Sequence, residues 1–201
     1  CQWSQDGEEL TFTMEGKCRE AVIYEENMVI HRTITARAGE SRFTITDVVE
    51  NGGCRPAPFM MLYHMNFGFP ILSENSRILL DSQEVTPTTR DACVETCREL
   101  LPPQDTEHCE VFIHDLKADD QGWCRATLLN EGLGLAAHIR FEKERLPYLV
   151  EWKNMSAQDY VLGLEPATYD PRLPYSRQAQ LLAPGEQAVL RLEVGVEELG
   201  R

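Results

Sequence analysis

Met28-Val-Ile-His-Arg-Thr-Ile-Thr-Ala36 and Arg42-Phe-Thr-Ile-Thr-Asp-Val-Val49 are two runs rich in β-branched residues, with Ala38-Gly39-Glu40 between them. Branching at Cβ stiffens a side chain and suits a pleated, half-buried surface. A short glycine-containing segment between two such runs is hairpin-turn chemistry. Asn51-Gly52-Gly53 then ends the second run with residues that tolerate positive φ. The two runs read as an antiparallel hairpin.

The same pattern repeats along the chain. Leu10-Thr-Phe-Thr-Met14 alternates with period two ahead of the hairpin, and strand patterns follow at 60–66, 77–80, 109–116, 123–130, 135–141, 148–153, 160–164 and 187–196. Asp119-Asp120-Gln121-Gly122 and Asn130-Glu131-Gly132 are turn signals. Turns at intervals of roughly ten residues predict an antiparallel sandwich rather than βαβ units. Residues 88–101 carry good helix formers, open on threonines and stop at Pro102-Pro103, which predicts one short helix. Residues 166–186 hold four prolines and few strand signals, and read as a long surface loop. With no internal repeat and no linker, residues 1–201 read as one all-β domain with at most one or two short helices.

Composition narrows the partners. Lys plus Arg total 19 and Asp plus Glu total 33, a net charge of −14. Such a surface repels phosphate backbones and anionic lipid, so nucleic acid and membrane are not expected partners. A neutral substrate meets no such penalty. No run approaches the ~18 apolar residues of a membrane span, and no signal-peptide pattern is visible. The seven cysteines are odd in number and irregularly spaced, without a CxxC pair. Cys93 and Cys97 share a spacing that fits one helix face, but no second pair completes a zinc site. Reduced thiols in a cytoplasmic protein are the expectation. The five histidines include no HxH pair, and neither a GxSxG elbow nor an HExxH helix occurs, so no metal is expected.

Four segments carry candidate chemistry. In Leu62-Tyr-His-Met-Asn-Phe-Gly-Phe-Pro70, polar Tyr63, His64 and Asn66 interrupt an apolar run. On a strand His64 and Asn66 share a face, which makes either a ligand-binding edge or a satisfied core histidine beside a turn residue. In Tyr160-Val-Leu-Gly-Leu-Glu-Pro-Ala-Thr168, Glu165 closes an apolar strand. A carboxylate there is costly without a partner or a role, and desolvation would tune it towards a general base; a Glu that emerges at the sheet edge is the alternative. Trp152 offers an indole face for stacking on a pyranose, or fills a core. His114 and Asp115 form a further polar patch on their own strand.

Leu62–Pro70 and Gly163-Leu-Glu-Pro-Ala-Thr168 resemble motifs of the aldose 1-epimerase (galactose mutarotase) superfamily, and more closely a bacterial branch of unknown function. Asp47-Val-Val-Glu-Asn51, Leu146-Pro147 with Trp152-Lys153, and Leu182-Ala-Pro-Gly-Glu186 add to the likeness, which runs over most of the chain. The resemblance implies a β-supersandwich with a sugar pocket on its concave face. It implies that Glu165 takes the proton of the anomeric hydroxyl while His64 protonates the ring oxygen, the two standing on opposite sides of the anomeric centre. Asn66, Trp152, Tyr63, His114 and Asp115 are the expected substrate-binding residues. No metal or organic cofactor is implied, and the expected ligand is a monosaccharide, a hexose or related sugar.

The family's upstream strands and their His-Gly turn have no counterpart here, so the chain is expected to be the C-terminal portion of a longer family domain. Sheet edges left open in a shortened domain also invite pairing with another copy, so a homo-oligomer remains open. Two further functions compete with an isomerase: a non-catalytic carbohydrate-binding module, and an accessory sandwich of a larger carbohydrate-active enzyme. The isomerase requires His64 and Glu165 to converge beside room for a pyranose. The accessory sandwich requires that face to be filled.

Overall fold

A computed structural model of the chain describes residues 1–90, 92–174 and 177–200. The founding hairpin is β3 (Asn27–Arg37) and β4 (Arg42–Asn51), with Gly39 at φ +84° in the connection. It lies within an eight-stranded antiparallel sheet. That sheet also contains β1 (Gln2–Asp6), β2 (Glu9–Ala21), β7 (Arg77–Leu80), β10 (Trp123–Asn130), β11 (Leu135–Glu142) and β15 (Gln187–Glu198), in the order β1-β2-β3-β4-β15-β11-β10-β7. A five-stranded sheet holds β6 (Met65–Phe67), β13 (Val161–Ala167), β12 (Tyr148–Asn154), β9 (Cys109–Leu116) and β8 (Ser82–Pro87), in that order. β5 (Ala57–Phe59) and β14 (Gln180–Leu182) form a small ribbon.

Alternation sends one face of each sheet inward. Ile45, Leu128, Ile139, Phe141, Leu190 and Leu192 from the large sheet share one core with Leu116, Leu149, Leu162 and Leu164 from the small one. The opposite face of the small sheet is the one that matters for chemistry. There Ile113, Val150 and Ala167 form a second apolar cluster with Leu62, Val111 and Tyr148.

The expected helix at 88–101 is not present: the described residues there contain only a 3-10 turn at Val94–Thr96, and Asp91 lies outside them. The main-chain carbonyls that a helix would use are taken. Lys153 Nζ, buried on β12, donates to Thr96 O at 2.5 Å and Glu99 O at 3.0 Å. Pro102 and Pro103 have no N–H to give to residues 98 and 99. Lys153 also pairs with Glu110 at 2.9 Å, so one buried ammonium folds the segment over the end of the small sheet. Two other expectations shift. Residues 166–186 are not wholly loop, because β13 runs to Ala167 and β14 pairs with β5 (Tyr175 and Ser176 lie outside the described residues). The strand expected at 60–66 begins only at Met65.

Breaking a buried ion pair from one side leaves a charge without compensation. Lys153→Met is expected to destabilise the fold by about 3–5 kcal/mol in urea denaturation. Lys153→Met combined with Glu110→Gln is expected to recover part of that loss.

Candidate functional site

β13 places Glu165, and its pairing with the preceding segment places His64. Met65 pairs with Leu164, Asn66 with Gly163 and Phe67 with Leu162. Upstream, Leu62 bridges Ala167, and the Tyr63 N–H donates to Pro166 O at 2.9 Å. All of these share one register, in which His64 stands directly opposite Glu165. Opposed residues on neighbouring strands bring their side chains together on one face. His64 Nε2 accordingly lies 3.1 Å from Glu165 Oε1.

The next pair along completes the arrangement. Asn66 Oδ1 lies 2.8 Å from His64 Nδ1. A carbonyl oxygen can only accept, so Nδ1 carries the hydrogen and Nε2 faces the carboxylate. Gly163, opposite Asn66, leaves room for the Glu165 side chain to lie back along its own strand, because a Cβ at 163 would overlap Oε1. Trp152 on β12 pairs with Gly163 and meets the His64 ring edge-on, with centroids 5.4 Å apart. Its Nε1–H donates to Cys109 Sγ at 3.1 Å, which fixes the indole. His64 and Asn66 are exposed, whereas Glu165 is 3% exposed. Burial pushes the Glu165 carboxyl above its usual range, and the neighbouring His64 pulls it back part of the way.

Across the same face lies a cavity of about 380 Å³. Its floor includes Ile113 and Thr86, which belong to the same cross-strand row as Glu165 and Val150. Its wall carries Glu84, Asp115, Lys143, Tyr148, Asp170 and Arg172. Lys143 is ion-paired with Asp115 and also donates to Pro147 O, and Arg172 makes a forked pair with Asp170 at 2.6–3.0 Å. The separation of Glu165 from Ile113 is two strand spacings, roughly 10 Å between main chains.

The structure thus brings together His64, Glu165, Asn66 and Trp152, and sets Asp115 across the same face. It departs from expectation at Tyr63 and His114. Tyr63 is 4% exposed and turned inward, its hydroxyl donating to Asp47 at 2.7 Å. His114 points away from Asp115 because successive residues of a strand face opposite ways. It is sealed in the core between Ser82 and Glu151, at 3.0 and 2.8 Å. Neither can touch a ligand on the concave face. His64 and Glu165, expected on opposite sides of an anomeric centre, are also side by side rather than across from one another. Sequence reasoning missed Lys143, which meets Asp115 only through tertiary packing, and the local Asp170–Arg172 pair, which only tertiary packing brings to this cavity. It also missed Gly163, although the Gly-x-Glu spacing carried that signal. Among the described residues no group of three or more His, Cys, Asp or Glu is arranged to hold a metal ion, and no helix is long and apolar enough to cross a membrane.

Residues 1–196 match the family model described as Domain of unknown function (DUF4432). The chain belongs to this family. A comparison with curated protein sequences finds no match. Among solved structures, a "putative aldose 1-epimerase" from Klebsiella pneumoniae subsp. pneumoniae MGH 78578 superposes on this DUF4432 chain with a TM-score of 0.87 at 25% identity. The match covers 96% of this chain and 52% of that one, so the present chain spans about half the length of the Klebsiella protein. A "putative aldose 1-epimerase" from Escherichia coli K12 matches with a TM-score of 0.67, 19% identity, and coverage of 99% and 69%. A galactose mutarotase-like protein from Clostridium acetobutylicum gives 0.68, 15%, and coverage of 99% and 66%. The DUF4432 chain therefore has the galactose mutarotase-like β-sandwich, as its two motifs implied.

The role of Gly163 is testable without an assay. Gly163→Ala is expected to leave the fold intact, since the clash is with the end of a flexible side chain, and to swing the Glu165 carboxylate away. A crystal structure of the variant should show His64 and Glu165 beyond hydrogen-bonding reach of each other, with the sheet register unchanged.

Proposed function

We propose that the chain carries the acid–base site of a cofactor-independent aldose 1-epimerase-like isomerase acting on a monosaccharide. The observation that carries this reading is the opposition of His64 and Glu165 at contact distance on the outer face of the small sheet, a face that also carries an open cavity two strands away. Glu165 accepts the proton of the anomeric hydroxyl, and protonated His64 gives its Nε2 proton to the ring oxygen. The C1–O5 bond breaks and the aldehyde forms. Rotation about C1–C2 exposes the other carbonyl face; on closure His64 takes back its proton from the C5 hydroxyl as that oxygen attacks C1, and Glu165 returns its proton to O1. Both oxygens are bonded to C1, so an adjacent acid and base can serve them from one side.

The remaining residues fit the same ligand. Trp152 presents an indole to the apolar face of a pyranose, and Asn66 fixes the His64 tautomer. Asp115, across the face, accepts from hydroxyls remote from the anomeric carbon. The seven free thiols suit a reducing, cytoplasmic setting. A non-catalytic carbohydrate-binding module is the second reading, favoured by the contact of His64 and Glu165 with each other rather than across a space for a ring.

We also propose that residues 1–201 are the C-terminal portion of a longer domain. Trp3, Phe12 and Phe43 continue one cross-strand row through Val194 to the buried Ile139, Ala126 and Leu80, with Ala36 completing it. They therefore lie on the inner face of the large sheet. Yet Trp3 is 67% exposed and Phe12 44%, because the small sheet does not reach them. A core face with no second layer suits a domain that has more to add.

NMR or polarimetry on a panel of free sugars should detect faster anomer exchange in the presence of the protein. Glu165→Gln and His64→Asn should each slow it by about 10²–10⁴-fold; unchanged rates in both variants would overturn the reading. The base works only when ionised, so the rate should rise with pH through a midpoint above the ~4.3 of an ordinary glutamate. For the domain proposal, a version extended upstream should bind less of a hydrophobic dye than residues 1–201 alone.

A further inference from the structure

Tyr63 is the residue next to the proposed acid, and its side chain runs the opposite way, through the sandwich to the large sheet. Its hydroxyl donates to Asp47 Oδ2 at 2.7 Å. Asp47 lies on the inner face of β4, opposite Leu190, and is 0% exposed. Its two oxygens also accept Arg32 Nε–H at 2.8 Å and an Arg32 terminal N–H at 2.7 Å. The Arg32 guanidinium in turn lies over the Tyr63 ring, 5.7 Å from its centre. An unpaired carboxylate in this place would be prohibitive, so the three residues form one unit that holds only while complete. Burial and the Asp47 carboxylate push the Tyr63 hydroxyl further above its normal range, which keeps it a donor.

The unit sits where the site is least supported. β6 offers only three ladder residues to β13, and His64 precedes them. Residues 62–64 rest on the Leu62–Ala167 bridge and the Tyr63 N–H bond to Pro166. The carbonyl of Pro166 follows directly on Glu165. Anchoring Tyr63 therefore fixes, at once, the main chain that carries His64 and its distance from the base.

We infer that Arg32, Asp47 and Tyr63 are positioning residues that set the His64–Glu165 geometry from the opposite sheet of the sandwich. This deepens the isomerase reading and rests on it for its kinetic consequence, while the structural consequence stands independently. A displacement of about 1 Å in such a pair costs on the order of 100-fold in rate. Loss of the anchor also moves away the neighbour that pulls the Glu165 carboxyl back towards its usual range.

The test is Tyr63→Phe, which removes one oxygen and keeps the ring in the core. Glu165 titration, followed by its carboxyl carbon signal in NMR, should move further up, because a displaced His64 no longer opposes the effect of burial. The kcat for any sugar the wild type interconverts should fall by about 10- to 100-fold, with KM little changed. Asp47→Ala should act the same way, and the double variant should be no worse than either single one, since both break one unit. Asp47→Asn keeps an acceptor for the Tyr63 hydroxyl and should retain more activity than Asp47→Ala. A Tyr63→Phe protein that is less stable but keeps the wild-type Glu165 titration would overturn the inference. A wild type that exchanges no anomers would instead overturn the isomerase reading and leave the titration to decide on the anchor.

Discussion

The single register that pairs residues 62–67 with 162–167 is the constraint on which the site depends. Side chains alternate along a strand, so a slip of one residue would send His64 and Glu165 to opposite faces. The polar pair does not hold this register itself. A half-exposed ion pair returns at most about 1 kcal/mol. A slip would expose Leu162 and Leu164, both completely buried, at roughly 1.5–3 kcal/mol each. The core sets the register, and the chemistry is carried on the reverse side of residues selected for packing. Thr168 adds a lock at the far end, donating its N–H to Met61 O at 2.9 Å while its hydroxyl accepts the Met61 N–H at 2.8 Å.

The same two-sidedness governs β9 and β12. Val111, Ile113, Val150 and Trp152 turn outward to the concave face, and Glu110, His114, Glu151 and Lys153 turn inward. Charges buried so deeply are tolerated only with partners. Lys153 has three acceptors, and Glu110 has Lys153, the Thr96 hydroxyl at 2.6 Å and His108 at 3.5 Å. Glu151 is less complete: one oxygen meets His114 and the other has no hydrogen-bond partner among the described residues. Burial accordingly pushes its carboxyl upward, against the pull of His114 and Lys153. These inward groups tie residues 92–101, whose regular structure is one 3-10 turn, to the sheet beneath the site.

The strands were legible because their signal is local. β7, β9 and β10 have the limits that alternation and turn residues predict. β1 was illegible because Gln2-Trp-Ser-Gln-Asp6 is mostly polar, and β8 because it ends on Pro87, a residue that argues against strand. The helix expected at 88–101 failed for a tertiary reason: propensity is weak, and Lys153, more than fifty residues away, takes its carbonyls. The site divides the same way. His64, Glu165, Asn66 and Trp152 sit in motifs, so they could be named. The inward turn of Tyr63 and His114 depends on which face of the strand meets the core, and two adjacent polar residues in one motif conceal that difference.

The proposed preference for a neutral ligand needs a local argument rather than a global one. The net charge of −14 is spread over the molecule, and screening removes exposed charges beyond about 8–10 Å. What acts on a ligand in the cavity is its wall. The wall contains two cations, Lys143 and Arg172, which alone would suit a phosphate. Each is already committed, Lys143 to Asp115 and Arg172 to Asp170 through a fork that matches carboxylate geometry. A phosphate would have to displace a carboxylate from each, leaving that carboxylate beside the incoming charge. Asp170 is itself almost fully buried, which makes its release costly. Hydroxyl groups ask for no such exchange, since a paired carboxylate still has lone pairs to offer. The neutral ligand proposed from total charge is therefore also the one that two specific ion pairs in the cavity wall favour.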